Sequence, residues 1–265
     1  MSRKPKLGQN FLVDPSAAQA IVDALGDLTH QTVVEIGPGK AAITRLLAAR
    51  AHRLIAVELD RELAPQLRTQ FAPQSNVEIL ERDILDVTLA DLISEPGIRL
   101  AVVGNLPYYL TSDILLHLFA SHAVISRAVV MVQREVADRV AAEPATRDYG
   151  LLSATTRLYA RVERLFTLPP QAFSPPPQVH STVLRLTMQP QAAALAVDPA
   201  AFVSFLRHSF AQKRKTLANN LRAAGYSPSQ IAAALESAKV SPQTRAEAIS
   251  LESAARIHRA LAGTK

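Results

Sequence analysis

The chain has 265 residues, 48% of them hydrophobic and 20% charged, as expected of a soluble globular protein with one large domain and a small one. It has no apolar run approaching the roughly 18 residues of a membrane span, and no cysteine, which excludes disulfides, iron–sulfur clusters and thiolate zinc sites. The formal net charge of +6 is concentrated: residues 197–265 hold ten Lys/Arg against four Asp/Glu, while residues 1–196 hold 19 of each. A basic terminal segment on a neutral body points to a polyanionic partner. The seven histidines are scattered, so no metal site is expected. The opening segment Met1–Lys6 is basic and lacks a signal peptide's apolar stretch, so a cytoplasmic location is expected.

From residue 32 onward, apolar runs alternate with amphipathic ones. Strands are expected at Thr32–Ile36, Arg53–Glu58, Asn76–Leu80, Leu100–Val103 and Ala128–Gln133. Helical patterns lie between them at Ala41–Arg50, Arg61–Phe71 and Ser112–Ala120. Short buried strands separated by helices make a parallel sheet covered on both faces. Two further strand-like runs, Val162–Thr167 and Thr182–Thr187, flank a Pro-rich loop from Pro169 to Pro177 that no helix can span, and they can close the sheet as a hairpin. After Pro190 the chain turns Ala-rich with helical spacing, and Asp198-Pro199, Gly225–Pro228 and Ser241-Pro242 mark helix starts or stops. Two domains are expected, 1–190 and 191–265, the second all-helical.

The run Val33–Gly39 leads straight into the helical pattern at Ala41. Glycines there allow close backbone approach to a ligand, and the helix start offers free N–H groups. Gly37-x-Gly39-x-x-Ala42 satisfies the dinucleotide fingerprint, and Glu58 at the end of the next strand suits a ribose hydroxyl, so NAD and S-adenosylmethionine stand about even on these two features. Three residues favour the second. Glu35 suits a cationic ligand and repels a pyrophosphate. Asp83 after the third strand is placed to accept from an adenine amino group. Asn105-Leu-Pro-Tyr108 follows the fourth strand, at the carboxyl edge where open α/β sheets bind ligands.

With these motifs in view, the chain resembles the KsgA family of ribosomal RNA adenine dimethyltransferases along nearly its whole length. Gly8-Gln-Asn-Phe-Leu12 is similar to the family's N-terminal cofactor motif, and Glu35–Gly39, Glu58-Leu-Asp60 and Asp83 follow in family order. Asn105–Tyr108 resembles the catalytic motif, and Phe173-Ser-Pro-Pro-Pro177 with Val179 and Ser181 the Phe-Pro-rich loop. Phe210–Lys215 and Arg245-Ala-Glu247 are similar to signatures of the helical tail. Ala41 stands where many methyltransferases have a third glycine, and Tyr109 and His180 where Asn and Asp are frequent.

The resemblance implies a Rossmann-like class I methyltransferase domain with a mostly parallel seven-stranded sheet, followed by a small helical domain. It implies S-adenosylmethionine as cofactor, held by Gln9, Asn10, Leu12, Gly37, Gly39, Glu58, Leu59, Asp83, Ile84 and Asn105. The implied reaction is dimethylation of N6 on two adjacent adenines in the 3′-terminal hairpin of 16S rRNA, on an immature 30S subunit; a monomer is expected, though no residue pattern speaks to it. Asn105, Leu106, Pro107 and Tyr108 carry the chemistry in this reading. An adenine amine is a poor nucleophile, and the Asn105 Oδ1 and Leu106 carbonyl can hold its hydrogens while it attacks, which is electrostatic positioning and not base catalysis. Tyr108 and Phe173 are expected to hold the flipped base. Arg207, Lys213, Arg214, Lys215 and Arg222, read as one helical stretch on which Arg207, Arg214 and Arg222 can make a stripe, and Arg3, Lys4 and Lys6 are expected to meet RNA phosphates. The rivals are a 23S rRNA resistance methyltransferase, an assembly factor that acts by binding, and a nicotinamide-dependent oxidoreductase.

Overall fold

A computed structural model of the chain describes residues 9–93 and 97–263, so Arg3, Lys4, Lys6 and Gly8 lie outside the described residues. The chain begins with β1 (Phe11–Leu12) and α1 (Pro15–Asp23). Helix α1 starts where it does because the Asp14 carboxylate accepts from the N–H groups of Ser16 and Ala17, with Pro15 at the first helical position. Ala17, Ala18, Ile21 and Val22 form its buried face.

Strands and helices then alternate: β2 (Thr32–Ile36), α2 (Thr44–Ala48), β3 (Arg53–Glu58), α3 (Leu63–Phe71), β4 (Val77–Glu81), β5 (Leu100–Asn105), α4 (Thr111–Ala120) and β6 (Ile125–Gln133). Next come α5 (Arg134–Val140), α6 (Leu151–Tyr159), β7 (Ala160–Leu168), β8 (Phe173–Ser174) and β9 (Ser181–Met188). Helices α7 (Pro199–Ser209), α8 (Leu217–Ala223), α9 (Pro228–Ser237) and α10 (Leu251–Ala262) complete the chain.

Seven strands form one sheet in the order β4-β3-β2-β5-β6-β9-β7. Neighbours from β4 to β6 run parallel, and β9 lies antiparallel to β6. Strands β7 and β9 are adjacent, as the expected hairpin requires. The Thr167–Thr182 hydroxyl pair (3.0 Å) and the Arg185–Glu163 ion pair (2.5 Å) join them in opposite senses. Every residue of β2 is buried, and so is every residue of β5 up to Gly104, which accounts for their near-continuous apolar sequences. The chain works outward from β2 to β4 and then returns to β5 on the other side of β2. That reversal opens a crevice at the carboxyl ends of β2 and β5.

Two close approaches shape the crevice. Gly104 faces Ile36 across the β2–β5 pair, and a Cβ there would sit 2.7 Å from the Ile36 carbonyl oxygen. The second is a two-stranded ladder that no alternating pattern announced: β1 pairs antiparallel with β8, Leu12 opposite Phe173 and Phe11 opposite Ser174.

The described residues divide into two compact units. One holds the residues up to Ala137 together with Val162–Met188; the other holds Asp138–Arg161 and the residues from Gln189 onward. A cut at residue 190 therefore misses one feature: Asp138–Arg161, including α6, groups with the helical tail. Apolar periodicity cannot reveal this, because a helix's buried face does not name its partner. In this unit Tyr149 meets Phe210 edge-on at 6.0 Å, and the Ala145 N–H donates to the Glu247 carbonyl at 2.8 Å.

The expected single helical stretch of basic residues is corrected here. Arg207 lies in α7 and Arg222 in α8, with Lys213, Arg214 and Lys215 in the turn between. The helix breaks because Asn220 Nδ2 donates to the Ser209 and Gln212 carbonyls and fixes the turn, while the Thr216 hydroxyl accepts from the Asn219 N–H and starts α8. All five cationic side chains are exposed.

Candidate active site

The first unit carries a cleft of about 1080 Å³, open to solvent, at the carboxyl ends of β2, β3 and β5. Gly37 and Gly39 form its floor with φ of 66° and 55°, left-handed conformations that glycine adopts without strain. Ala41, at the third position of this turn, has φ 64° and is fully buried.

Glu58, at the end of β3, is held by main-chain donors: its Oε2 accepts from the Gly39 N–H at 3.0 Å and its Oε1 from the Asp60 N–H at 2.9 Å. Burial pushes its carboxyl above the usual range, and these two bonds oppose the shift. Glu35, one strand over, is 2% exposed, and its Oε2 has no hydrogen-bond partner. Burial pushes its carboxyl up to about 8, with the Thr44 hydroxyl opposing and the Glu58 charge adding. The Asp83 Oδ1 accepts from the Leu85 N–H at 3.0 Å and so caps a short 3-10 turn at Ile84–Asp86, while the residue itself lines the cleft.

Asn105 sits at the end of β5, where its side-chain Nδ2 donates to the Asn10 carbonyl at 3.0 Å. A carbonyl only accepts, so this bond fixes which end of the amide is nitrogen and leaves Oδ1 on the other side. The Leu106 N–H donates to the Met131 carbonyl at 3.0 Å, and the Pro107 carbonyl accepts from the Leu110 N–H and the Thr111 hydroxyl. The Asn105-Leu-Pro-Tyr108 bend is thus pinned at both ends. Tyr108 is half-buried, its hydroxyl 3.2 Å from Ser181 Oγ, and Tyr109 beside it is 60% exposed at the cleft.

The cleft brings together Gln9, Asn10, Leu12, Gly37, Gly39, Glu58, Leu59, Asp83, Ile84, Asn105, Leu106, Pro107 and Tyr108. It does not include Phe173. That side chain is 3% exposed in the main hydrophobic core and opposite Leu12, where it anchors β8. The basic residues of α7, α8 and their turn belong to the other unit. Phe11 and Lys40 line the cleft although sequence reasoning gave them no role, and the Lys40 ammonium lies 4.8 Å from the Phe11 ring centre. Their positions inside the N-terminal motif and the glycine turn were the available signal.

The donor set suits S-adenosylmethionine. The unpartnered Glu35 oxygen is a buried acceptor awaiting a cationic or N–H donor, Glu58 is an acidic strand end of the kind that takes a ribose diol, and Asp83 faces the cleft beyond it.

A mostly parallel seven-stranded sheet with this glycine turn and acidic strand ends defines a class I methyltransferase. The ribosomal RNA adenine dimethylase family matches residues 1–262, and the chain belongs to that family. It is 64% identical over 258 residues to the ribosomal RNA small subunit methyltransferase A of Acidobacterium capsulatum, covering 97% of this chain and 91% of the relative. It is 55% identical to the protein of the same name from Koribacter versatilis, covering 98% of this chain and 95% of the relative. Among solved structures, a dimethyladenosine transferase from Plasmodium falciparum shares the fold with TM-score 0.78 at 20% identity, over 93% of this chain and 95% of that one. The 23S rRNA methyltransferase ErmE aligns with TM-score 0.69 at 26% identity, over 96% of this chain and 100% of that one. The chain is an S-adenosylmethionine-dependent rRNA adenine methyltransferase.

Proposed function

We propose that the protein dimethylates N6 of two adjacent adenines in the 3′-terminal hairpin of 16S rRNA, acting as a monomer on immature 30S subunits in the cytoplasm. The observation that carries this reading is the Asn105 amide, turned by the Asn10 carbonyl and standing in a glycine-floored cleft beside two buried carboxylates. Support for the small-subunit target over 23S rRNA comes from the relatives at 64% and 55% identity, against 26% for ErmE.

Bound S-adenosylmethionine supplies an electrophilic methyl group. The chain's own residues hold and orient. Glu35 faces the cationic end of the ligand, Glu58 the ribose hydroxyls and Asp83 the adenine amine, with Leu59 and Ile84 against its ring. The Asn105 Oδ1 and the Leu106 carbonyl accept the two N6 hydrogens of the target base in the first transfer, and one of them accepts the single remaining hydrogen in the second. The nitrogen lone pair is thereby drawn out of conjugation and directed into the cleft. Among the described residues no histidine lines the cleft, and no general base is needed before attack: the acceptors position the neutral amine, and the proton leaves to solvent after the N–C bond has formed. Tyr108, its hydroxyl tied to Ser181, offers the flipped base a fixed aromatic face. Arg207, Lys213, Arg214, Lys215 and Arg222 hold RNA phosphates from the helical unit.

The test is incubation with labelled S-adenosylmethionine and 30S particles lacking the modification, with 50S particles as control, followed by mapping of the modified nucleotides. Dimethyladenosine at adjacent positions of the 16S 3′ hairpin is the expected result; label confined to 23S rRNA, or none, would overturn the proposal.

A further inference from the structure

Phe11 stands where several restraints on the site converge. Its ring lies against Gly39 so closely that a Cβ on that glycine would come within 2.9 Å of Phe11 Cδ1. Gly39 in turn donates its N–H to Glu58. The Lys40 ammonium covers the ring at 4.8 Å. On the chain's N-terminal side, the neighbouring Asn10 provides the carbonyl that holds the Asn105 amide at 3.0 Å. On the other side, Leu12 is clamped in the ladder opposite Phe173, whose ring is in the core. The contacts therefore run without a break from Glu58 through Gly39 and Phe11 to Asn10 and Asn105.

We infer that Phe11 is a positioning residue: its ring, wedged on the glycine turn, sets the height of the Asn10 carbonyl and through it the direction of the Asn105 Oδ1. The inference rests on the reading of Asn105 as the acceptor for the target amine. The physical reason is steric. The Asn10 carbonyl lies just before the two-residue strand β1 and outside its ladder with β8, so strand pairing alone does not define its position to the tenths of an ångström that a reacting geometry needs. A flat ring packed on bare glycine backbone adds a steric restraint directly beside that carbonyl. Leucine at position 11 would fill less of that contact and let the strand settle toward the turn.

The experiment is a double-mutant cycle on the full-length protein with Phe11→Leu and Asn105→Ala. It is read as the single-turnover methylation rate at saturating S-adenosylmethionine and 30S particles, with Phe11→Tyr as the conservative variant. Phe11→Leu is expected to slow the wild-type reaction on the order of tenfold, an aromatic-to-aliphatic misplacement smaller than the 1 Å that costs about a hundredfold. In the Asn105→Ala background the same change should cost less than twofold, because the group it positions is gone. Phe11→Tyr should retain most of the wild-type rate. A substitution that merely unfolds part of the sample lowers the rate by the same factor in both backgrounds, so equal penalties overturn the inference, as does a wild-type rate in Phe11→Leu. If the wild-type protein transfers no methyl group to 30S particles, the proposed function falls first and this inference with it; activity with equal penalties removes the inference alone.

Discussion

The side-chain amide of Asn105 donates to the main-chain carbonyl of Asn10, 95 residues earlier in the chain, at 3.0 Å. The bond joins the end of a central strand to a segment whose sequence has no core pattern, and it turns a conformationally free amide into a directed acceptor. Asn105→Ala is expected to lower the methylation rate on the order of 10²–10³, by analogy with the loss of one preorganised hydrogen-bonding group. Asn105→Asp should do no better, because a carboxylate cannot donate to the Asn10 carbonyl. Rates at saturating cofactor check both; wild-type turnover by either variant would remove Asn105 from the mechanism.

Glu35 gives the ligand-free protein a pH dependence. An unfolded glutamate ionises near its ordinary 4.5, whereas burial holds the folded one protonated up to about 8. The folded state therefore binds the extra proton between those values. Its stabilising effect is fully present below about 4.5 and is lost as pH rises toward 8. Thermal unfolding between pH 5 and 8 should show a falling midpoint for the wild type and a flatter profile for Glu35→Gln. The variant should also bind S-adenosylmethionine more weakly, since an amide, unlike the Glu35 carboxyl, cannot ionise when a cationic ligand end arrives beside it.

Gly104→Ala places a methyl group 2.7 Å from the Ile36 carbonyl oxygen and 2.9 Å from its Cβ. Strands β2 and β5 would have to part at the mouth of the cleft. A stability loss of about 1–3 kcal/mol is expected from such overpacking, together with a fall in activity, because Asn105 is the next residue. Denaturant unfolding and methylation assays on the same preparation measure the two effects.

Ala41→Gly sets two small terms against each other. Relief of the left-handed conformation at φ 64° contributes about 1 kcal/mol. The buried methyl that packs toward Leu67 and Phe71 accounts for about 0.8 kcal/mol in the opposite sense. A net change within about 1 kcal/mol and retained activity are expected. A large loss in the unfolding midpoint would mean that the methyl contact outweighs the strain.

The basic residues of the helical unit should act on RNA affinity and not on chemistry. Lys213→Ala with Lys215→Ala removes two exposed cations, and each lost phosphate contact lowers the slope of log affinity against log salt by roughly 0.7–0.9. Binding of 30S particles titrated at several salt concentrations measures that slope. An unchanged slope would place the RNA elsewhere.

Sequence determined a great deal here. The parallel sheet was legible because buried strands in an α/β fold must be continuously apolar; β2 and β3 begin and end where Thr32–Ile36 and Arg53–Glu58 were expected. The glycine turn, the acidic strand ends and the Asn105-Leu-Pro-Tyr108 bend were legible because each needs particular residue types over a few consecutive positions.

Tertiary structure alone decided what depends on distant segments meeting. A β1 strand of two residues carries no period, so its pairing with β8 was invisible, and with it the burial of Phe173 and the grip of Asn10 on Asn105. The grouping of α6 with the tail was hidden in the same way, since a helix's buried stripe records that it is covered and not by what. Local chemistry is written residue by residue, whereas contacts such as Asn10 with Asn105 or Leu12 with Phe173 are settled only when the chain closes on itself.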